Sequence, residues 1–295
     1  MIHYEEFERE RLDPIYDTVA PYSEMKKNER YFLNGIIRAM KPKKILEVGV
    51  SSGGGSAIIL NAIRDIDGAE LYSVDYTEKS YRYPDKPSGF LVEEKFQALM
   101  DKWHIFRGGD VSRFLEEIGG DIDFLMLDTV HAHPWETLNF LCILPFMKKA
   151  SSWTVLHDIS IFAYLQNGRI NSLACRYLFT DVAAEEKVKP VSDYDNNPAN
   201  IGAFRISEAT MKYSDNLFES LLIPWEAEVP ESDYDSMKKI IEKYYKPEQY
   251  KLFCEAFPFQ QYLMGRKASF VSSLKVFLKT WQPKLFYWLK HSLQG

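Results

Sequence analysis

The chain has 295 residues, 46% hydrophobic and 26% charged, a balance that excludes wholesale disorder and supplies material for a sizeable core. The net charge of -6 is unevenly spread: no acidic residue follows Glu255 and the last 30 residues hold six cations, which leaves the first 265 at -12. A body that acidic offers no evident face to a polyanion, which counts against a nucleic-acid substrate.

The opening MIHYEEFERE is acidic where a leader peptide would be basic and then apolar, and no run of about 18 uncharged apolar residues occurs. Cys142, Cys175 and Cys254 are odd in number and widely spaced, fitting neither a disulfide framework nor a CxxC metal site. The expected setting is a reducing one, the cytoplasm.

In chain order, residues 1–40 read as a helical cap. Tyr31, Phe32, Ile36 and Met40 recur at helical spacing, and Pro42 ends the run. The period then changes. Residues 45–49 form a short apolar strand, a glycine-rich turn follows, and Ser56 to Ile63 reads as a helix. Strands at 70–75, 103–107, 122–128 and 153–158 alternate with helices around 90–101, 111–118 and 134–148. This alternation predicts an α/β fold, a doubly wound and mostly parallel sheet with both faces covered. Segments 187–191 and 201–206 bring the sheet to seven strands, so that residues 41–206 make one domain. Residues 207–265 read as a helical extension and 266–295 as a basic amphipathic tail.

Ligands of such sheets bind beyond the carboxyl ends of the strands. Those ends are Glu47 to Gly55, Asp75, Gly109-Asp110, Asp128 to His131, and His157-Asp158, and each carries a carboxylate. The turn at 49–55 lets backbone approach a ligand closely. It lacks the G-x-G-x-x-G spacing of a dinucleotide site, because Ser51 follows Gly49 by two, and no lysine between Lys44 and Lys79 serves a P-loop. Glu47 would repel a pyrophosphate; it suits the cationic end of a ligand.

Together these residues resemble the class I S-adenosylmethionine-dependent methyltransferases. Glu47, Gly49 and Gly53 match the family's E-x-G-x-x-x-G motif, Asp75 matches the acid ending its second strand, and Gly109-Asp110 matches its third motif. The resemblance covers roughly residues 40–206. It implies a Rossmann-like methyltransferase fold, with Glu47, Gly49 and Gly53 beside the methionine and ribose of S-adenosylmethionine, Asp75 on the ribose hydroxyls and Asp110 near the adenine. Relatives often carry Ser or Thr where this chain has Gly55, so no hydroxyl contact is assigned there.

Methyl transfer is an in-line displacement in which positioning does much of the work, and a hydroxyl acceptor must in addition lose a proton. Neighbouring strand ends lie about 4.8 Å apart, which lets Asp128 and Asp158 share a hard divalent cation with His131 as the rim proton acceptor. The other reading of both aspartates is helix capping or a cofactor contact. The D-x-x-H and H-D pair resembles a subgroup near the rhamnosyl, macrocin and mycinamicin O-methyltransferases. That likeness implies Mg²⁺ on Asp128 and Asp158, His131 as base, and a glycan or other small hydroxylated acceptor. Ile159 stands where catechol-type enzymes often have Asn, so no third side-chain ligand is assigned. Cephalosporin-hydroxylase-like proteins share much of the motif set, and a cofactor-binding scaffold without activity is the non-enzymatic alternative.

The N-terminal 40 residues and segment 76–92 are expected to shape the acceptor pocket. In the tail, Phe270, Leu274, Phe277, Trp281 and Trp288 alternate with lysines, a pattern that suits an anionic membrane surface and with it a lipid-linked sugar or polysaccharide acceptor. The same face fits equally against the acidic body or a second copy in a homo-oligomer.

Overall fold

The computed structural model describes residues 2–148, 152–163, 173–191 and 198–265. Seven strands form one sheet in the order β3-β2-β1-β4-β5-β7-β6. They are β1 (Lys44–Val48), β2 (Glu70–Asp75), β3 (Trp103–Arg107), β4 (Phe124–Leu127), β5 (Trp153–His157), β6 (Lys187–Val188) and β7 (Ile201–Arg205). The first five are parallel, and β7 runs antiparallel to both β5 and β6. Every residue of β4 and β5 is buried, as strands covered on both faces require. The winding runs outward from β1 to β3 and resumes with β4 on the other side of β1. The crevice beyond the ends of β1 and β4 is therefore the switch point, where ligands bind.

The helices follow the expected order, most of them with shorter spans, and proline explains the breaks in the cap and at the end of α6. Within the cap only α2 (Lys27–Met40) is sustained. Before it come short turns and α1 (Tyr16–Val19), because Pro14 and Pro21 open new turns instead of extending helices. α3 (Gly54–Ile63) is buried along nine of its ten residues and packs on α2. The run expected at 90–101 divides into α4 (Phe90–Lys95) and a 3₁₀ turn, Gln97–Lys102. That at 111–118 divides into a turn, Val111–Arg113, and α5 (Leu115–Ile118). α6 (Trp135–Ile143) stops where Pro145 starts a 3₁₀ turn. β6 is limited to two residues by Pro190, which has no N–H for the ladder.

After the sheet domain's α7 (Ala174–Asp181) and β7 come α8 (Glu208–Lys212), α9 (Asp215–Ser220), α10 (Glu231–Tyr244) and α11 (Pro247–Gly265). Residues 1–254 form one compact unit, so most of the helical extension belongs to the same body as the sheet. A second unit begins at Glu255, within α11. The basic tail, 266–295, lies outside the described residues. Among the described residues no helix is long and apolar enough to cross a membrane.

Candidate functional site

At the end of β1 the chain turns at Gly49, whose φ is +95° and whose α-carbon faces the end of β4 so closely that a β-carbon would lie 1.7 Å from the Asp128 carbonyl oxygen. Only glycine meets both conditions. One residue before the turn's strand ends, Glu47 is buried, and its Oε2 accepts hydrogen bonds from the Ser56 and Ser73 hydroxyls, both at 2.6 Å. Burial pushes the Glu47 carboxyl up to about 7, although both hydroxyls work against the rise. A β-carbon on Gly55 would stand 2.8 Å from Glu47 Oε1. Residue 55 is thus small because Glu47 occupies the space, and the nearby Ser56 hydroxyl is already committed to that carboxylate.

Asp75 ends β2 and accepts five hydrogen bonds. Oδ2 takes the Val50 N–H (3.1 Å), the Ser51 N–H (2.7 Å) and the Ser88 hydroxyl (2.6 Å); Oδ1 takes the Thr77 N–H and hydroxyl, each at 2.9 Å. The carboxylate therefore clamps the glycine turn as well as facing the cavity. Asp110 caps the turn after β3 by accepting the Ser112 N–H at 2.9 Å, and burial raises its pKa.

At the other side of the switch point, the register pairs Leu127 of β4 with Leu156 of β5, which puts Asp128 level with His157. Strand alternation alone would send His157 and Asp158 to opposite faces. Asp158 has left-handed backbone, φ +57°, and both side chains converge: His157 Nδ1 lies 3.1 Å from Asp158 Oδ2 and 3.3 Å from Asp128 Oδ1. His157 Nε2 reaches Glu29 Oε2 at 3.1 Å, and Glu29 is fixed at the start of α2 by accepting the Lys26 N–H at 2.7 Å. Asn200 Nδ2 donates to Asp158 Oδ1 at 2.5 Å. His131, also left-handed at φ +58°, places Nε2 2.9 Å from Asp158 Oδ2 and 3.8 Å from Asp128 Oδ1. Non-glycine residues in that conformation cost of order 1–3 kcal/mol each and gather at functional sites.

The charges in this cluster answer one another. Burial works to lower the His131 pKa, but the hydrogen bond to Asp158 and the charges of Asp128, Asp158 and Glu136 push it up to about 9. His157 is likewise raised well above the usual imidazole range, its burial outweighed by Asp128 and Asp158. Burial alone would raise Asp158, yet the two imidazoles hold it well below the carboxylate range. Asp128, Asp158 and His157 each offer one donor atom within 4.8 Å of the others. Two carboxylate oxygens and an imidazole nitrogen at that separation fit a divalent cation.

A cavity of about 520 Å³, a common size for a small-molecule site, joins the two regions. It runs from Glu47, Gly49 and Asp75 past Asp110 to Asp128 and His131. Of the residues singled out in the sequence, Gly53, His157 and Asp158 lie outside its lining: Gly53 is the N-cap of α3 behind the turn, and Asp158, with His157 beside it, stands behind His131. The cap contributes Tyr22 to Met25, and segment 76–92 contributes Tyr76, Thr77 and Tyr81. Tyr76 and Tyr81 are 50% and 62% exposed, and Trp135 meets Tyr76 edge to face at 5.8 Å. Among the described residues no Lys or Arg lines the cavity.

Four contributions escape sequence reasoning: Glu29, the role of His157 between the aspartates, Glu136, and the wall made by Glu228 and Pro230. That wall is anchored on both sides. The Glu226 carboxylate accepts the His133 N–H at 2.9 Å, while Asp233 accepts from Tyr76 Oη at 2.9 Å and Arg113 at 2.5 Å. For His157 and Glu136 a signal existed, the one beside Asp158 and the other five positions after His131; for Glu29 and the wall the pairs are too far apart in sequence for any period to reveal. His133 is buried just before α6, and His104 is a partly exposed β3 residue stacked on Tyr72.

Residues 46–159 match the family model of a methyltransferase domain. A search of curated proteins finds no match. Among solved structures, similar chains include the O-methyltransferase from Bacillus cereus in complex with SAH, 14% identical over 66% of this chain and 90% of that one, TM-score 0.46. The O-methyltransferase TomG from Streptomyces achromogenes in complex with SAM is 11% identical over 70% of this chain and 100% of that one, TM-score 0.49. The SAH-bound methyltransferase PaMTH1 from Podospora anserina is 16% identical over 66% and 87%, TM-score 0.47. Residues 46–159 thus match a methyltransferase-domain model and lie within a seven-stranded, mostly parallel, Rossmann-like sheet.

Proposed function

We propose that this protein is an S-adenosylmethionine-dependent O-methyltransferase acting on a hydroxyl of a sugar or similar small acceptor, with a divalent cation at Asp128 and Asp158. The observation that carries this reading is the single cavity that leads from the glycine turn and Asp75 to the Asp128–His131 cluster. A cofactor seated on the turn, its cationic end toward Glu47 and its ribose toward Asp75, would present its methyl group along the cavity toward that cluster. Positioning of this kind can supply much of the acceleration of a displacement.

Removal of the acceptor's proton falls to the far end. With its Nε2 proton held by Asp158 and the Asp128 charge close by, His131 is a donor at neutral pH. It becomes an acceptor once the aspartates face a different cation, so the two carboxylates and the imidazole act as one unit. A divalent ion bound there supplies Lewis acidity that lowers the pKa of an acceptor hydroxyl. The exposed faces of Tyr76 and Tyr81 suit stacking on a sugar ring, and Glu24 and Glu228 can accept from its hydroxyls. A cavity lined by carboxylates and, among the described residues, by no Lys or Arg disfavours a phosphorylated acceptor.

The test is methyl transfer from labelled S-adenosylmethionine to a panel of neutral glycosides, phosphorylated sugars and nucleic acid. Methyl ether formation on neutral sugars, abolished by chelation and restored by Mg²⁺, is the expected result. Transfer that survives exhaustive chelation returns the aspartates to a metal-free role, and failure to bind S-adenosylmethionine in calorimetry overturns the reading as a whole.

A further inference from the structure

The His131 ring has two sides. Its Nε2 faces the aspartates, while its Nδ1 lies 3.9 Å from Cys175 Sγ and 3.9 Å from Glu136 Oε1. We propose that Nδ1 of His131, the Cys175 thiol and the Glu136 carboxylate form a second metal site, one for a borderline ion of the Zn²⁺ class.

Three observations carry it. First, the three residues each offer a donor atom within 4.8 Å of the others, and both Glu136 and Cys175 are buried. Second, Glu136 has an acceptor to spare. Its Oε1 takes the Thr129 hydroxyl (2.8 Å) and the His131 N–H (2.6 Å), but its buried Oε2 has no hydrogen-bond partner among the described residues. A buried carboxylate oxygen without an acceptor role is unusual, and an ion taken in place of the neighbouring Cys175 thiol proton would use it. Third, the spacing fits. Tetrahedral Zn²⁺ with bonds of about 2.3 Å to sulfur and about 2.05 Å to nitrogen sets those atoms about 3.6 Å apart. The thiol and imidazole, at 3.9 Å, need close by only about 0.3 Å.

The donor set also separates this site from the carboxylate pair across the ring. Thiolate with imidazole selects softer ions, whereas Mg²⁺ takes oxygen ligands. Binding exchanges the thiol proton for the metal, and the proton leaves to solvent. A metal on one imidazole nitrogen leaves the other as N–H. His131 Nε2 would then donate permanently to Asp158 and could accept nothing from a substrate. Zn²⁺ at this site therefore inhibits methyl transfer, a consequence that rests on the function proposed above; the binding itself does not.

Titration of the full chain with Co²⁺, without S-adenosylmethionine, tests binding through the near-ultraviolet thiolate-to-cobalt charge-transfer band. One equivalent should produce it in the wild type and in a Cys142→Ala/Cys254→Ala variant. Cys175→Ser should abolish it, and Glu136→Gln, which keeps the thiol and decides the matter should the serine variant not fold, should weaken Co²⁺ binding at least tenfold. No band in the wild type, or an unchanged band in Cys175→Ser or Glu136→Gln, overturns the site. In a separate assay Zn²⁺ should inhibit the wild type and spare Cys175→Ser. A Co²⁺ band with turnover indifferent to Zn²⁺ leaves the site standing and overturns its inhibitory role.

Discussion

Asp75, at the end of β2, and Asp158, just beyond β5, are both buried carboxylates beside one cavity, yet the chain satisfies them in different ways. Asp75 accepts from three backbone N–H groups and two hydroxyls, all neutral and all local to the turns it braces. Asp158 faces the imidazole of its neighbour His157 together with an imidazole and an amide brought from two other places in the chain, His131 and Asn200. Neutral dipoles fix a carboxylate without cancelling its charge. Imidazolium partners cancel the charge and can be exchanged for another cation. On the function proposed above, one end of the cavity is preformed and the other is built to change partners.

The largest effect should come from breaking the exchangeable end alone. His131→Ala removes the proposed proton acceptor, and general acid–base groups contribute typically 10²–10⁴-fold. The turnover number should fall by about that factor while the affinity for S-adenosylmethionine, measured by calorimetry, stays within about twofold. A matching loss of affinity would show that the two ends are not independent.

Asp75→Asn tests the preformed end and should cost less. The amide keeps the shape, but one oxygen becomes an NH₂ that must face donors. Hydrogen bonds to a charged group are worth about 1.5–3 kcal/mol, and the variant should lose stability of that order in thermal unfolding without any ligand present. Cofactor affinity should fall too. A variant that binds more weakly yet melts like the wild type would mean that Asp75 serves the ligand and not the turn.

The same contrast explains what could be read from the sequence. The sheet was legible because buried parallel strands are continuous apolar runs, and the preformed end because its parts follow one another: Glu47, Gly49, Gly53, then Asp75 at the next strand end. Asp128, His131 and Asp158 were legible as strand-end residues, but their geometry was not. It depends on left-handed backbone at His131 and Asp158, which residue type does not announce, and on Glu29 arriving from the cap across 128 positions to hold His157. The wall at Glu228 and Pro230 was invisible for the same reason, since Asp233 reaches Tyr76 over 157 positions. Helix ends were misread where 3₁₀ turns share the periodicity of short helices.

The smallest effect concerns Glu47 and sharpens the claim that the preformed end awaits a cation. Burial raises its carboxyl to about 7, so near neutrality the free protein is a mixture of protonated and ionised forms. A ligand whose cationic end needs the carboxylate binds only the ionised fraction, and its apparent affinity scales with that fraction. With a pKa of about 7 the fraction rises from about one tenth at pH 6 to about nine tenths at pH 8, so affinity should improve about tenfold across that window. The ligand's own amine titrates nearby, and Glu47→Gln serves as the reference that removes its contribution. Stability should move the other way. A carboxyl that holds its proton more tightly when folded than when unfolded contributes less as pH rises from about 4.5 through about 7. The unliganded wild type should therefore lose stability over that range relative to Glu47→Gln, and the cofactor should recover part of the loss. Parallel binding curves for the two proteins from pH 6 to 8 would show that no ligand cation meets Glu47.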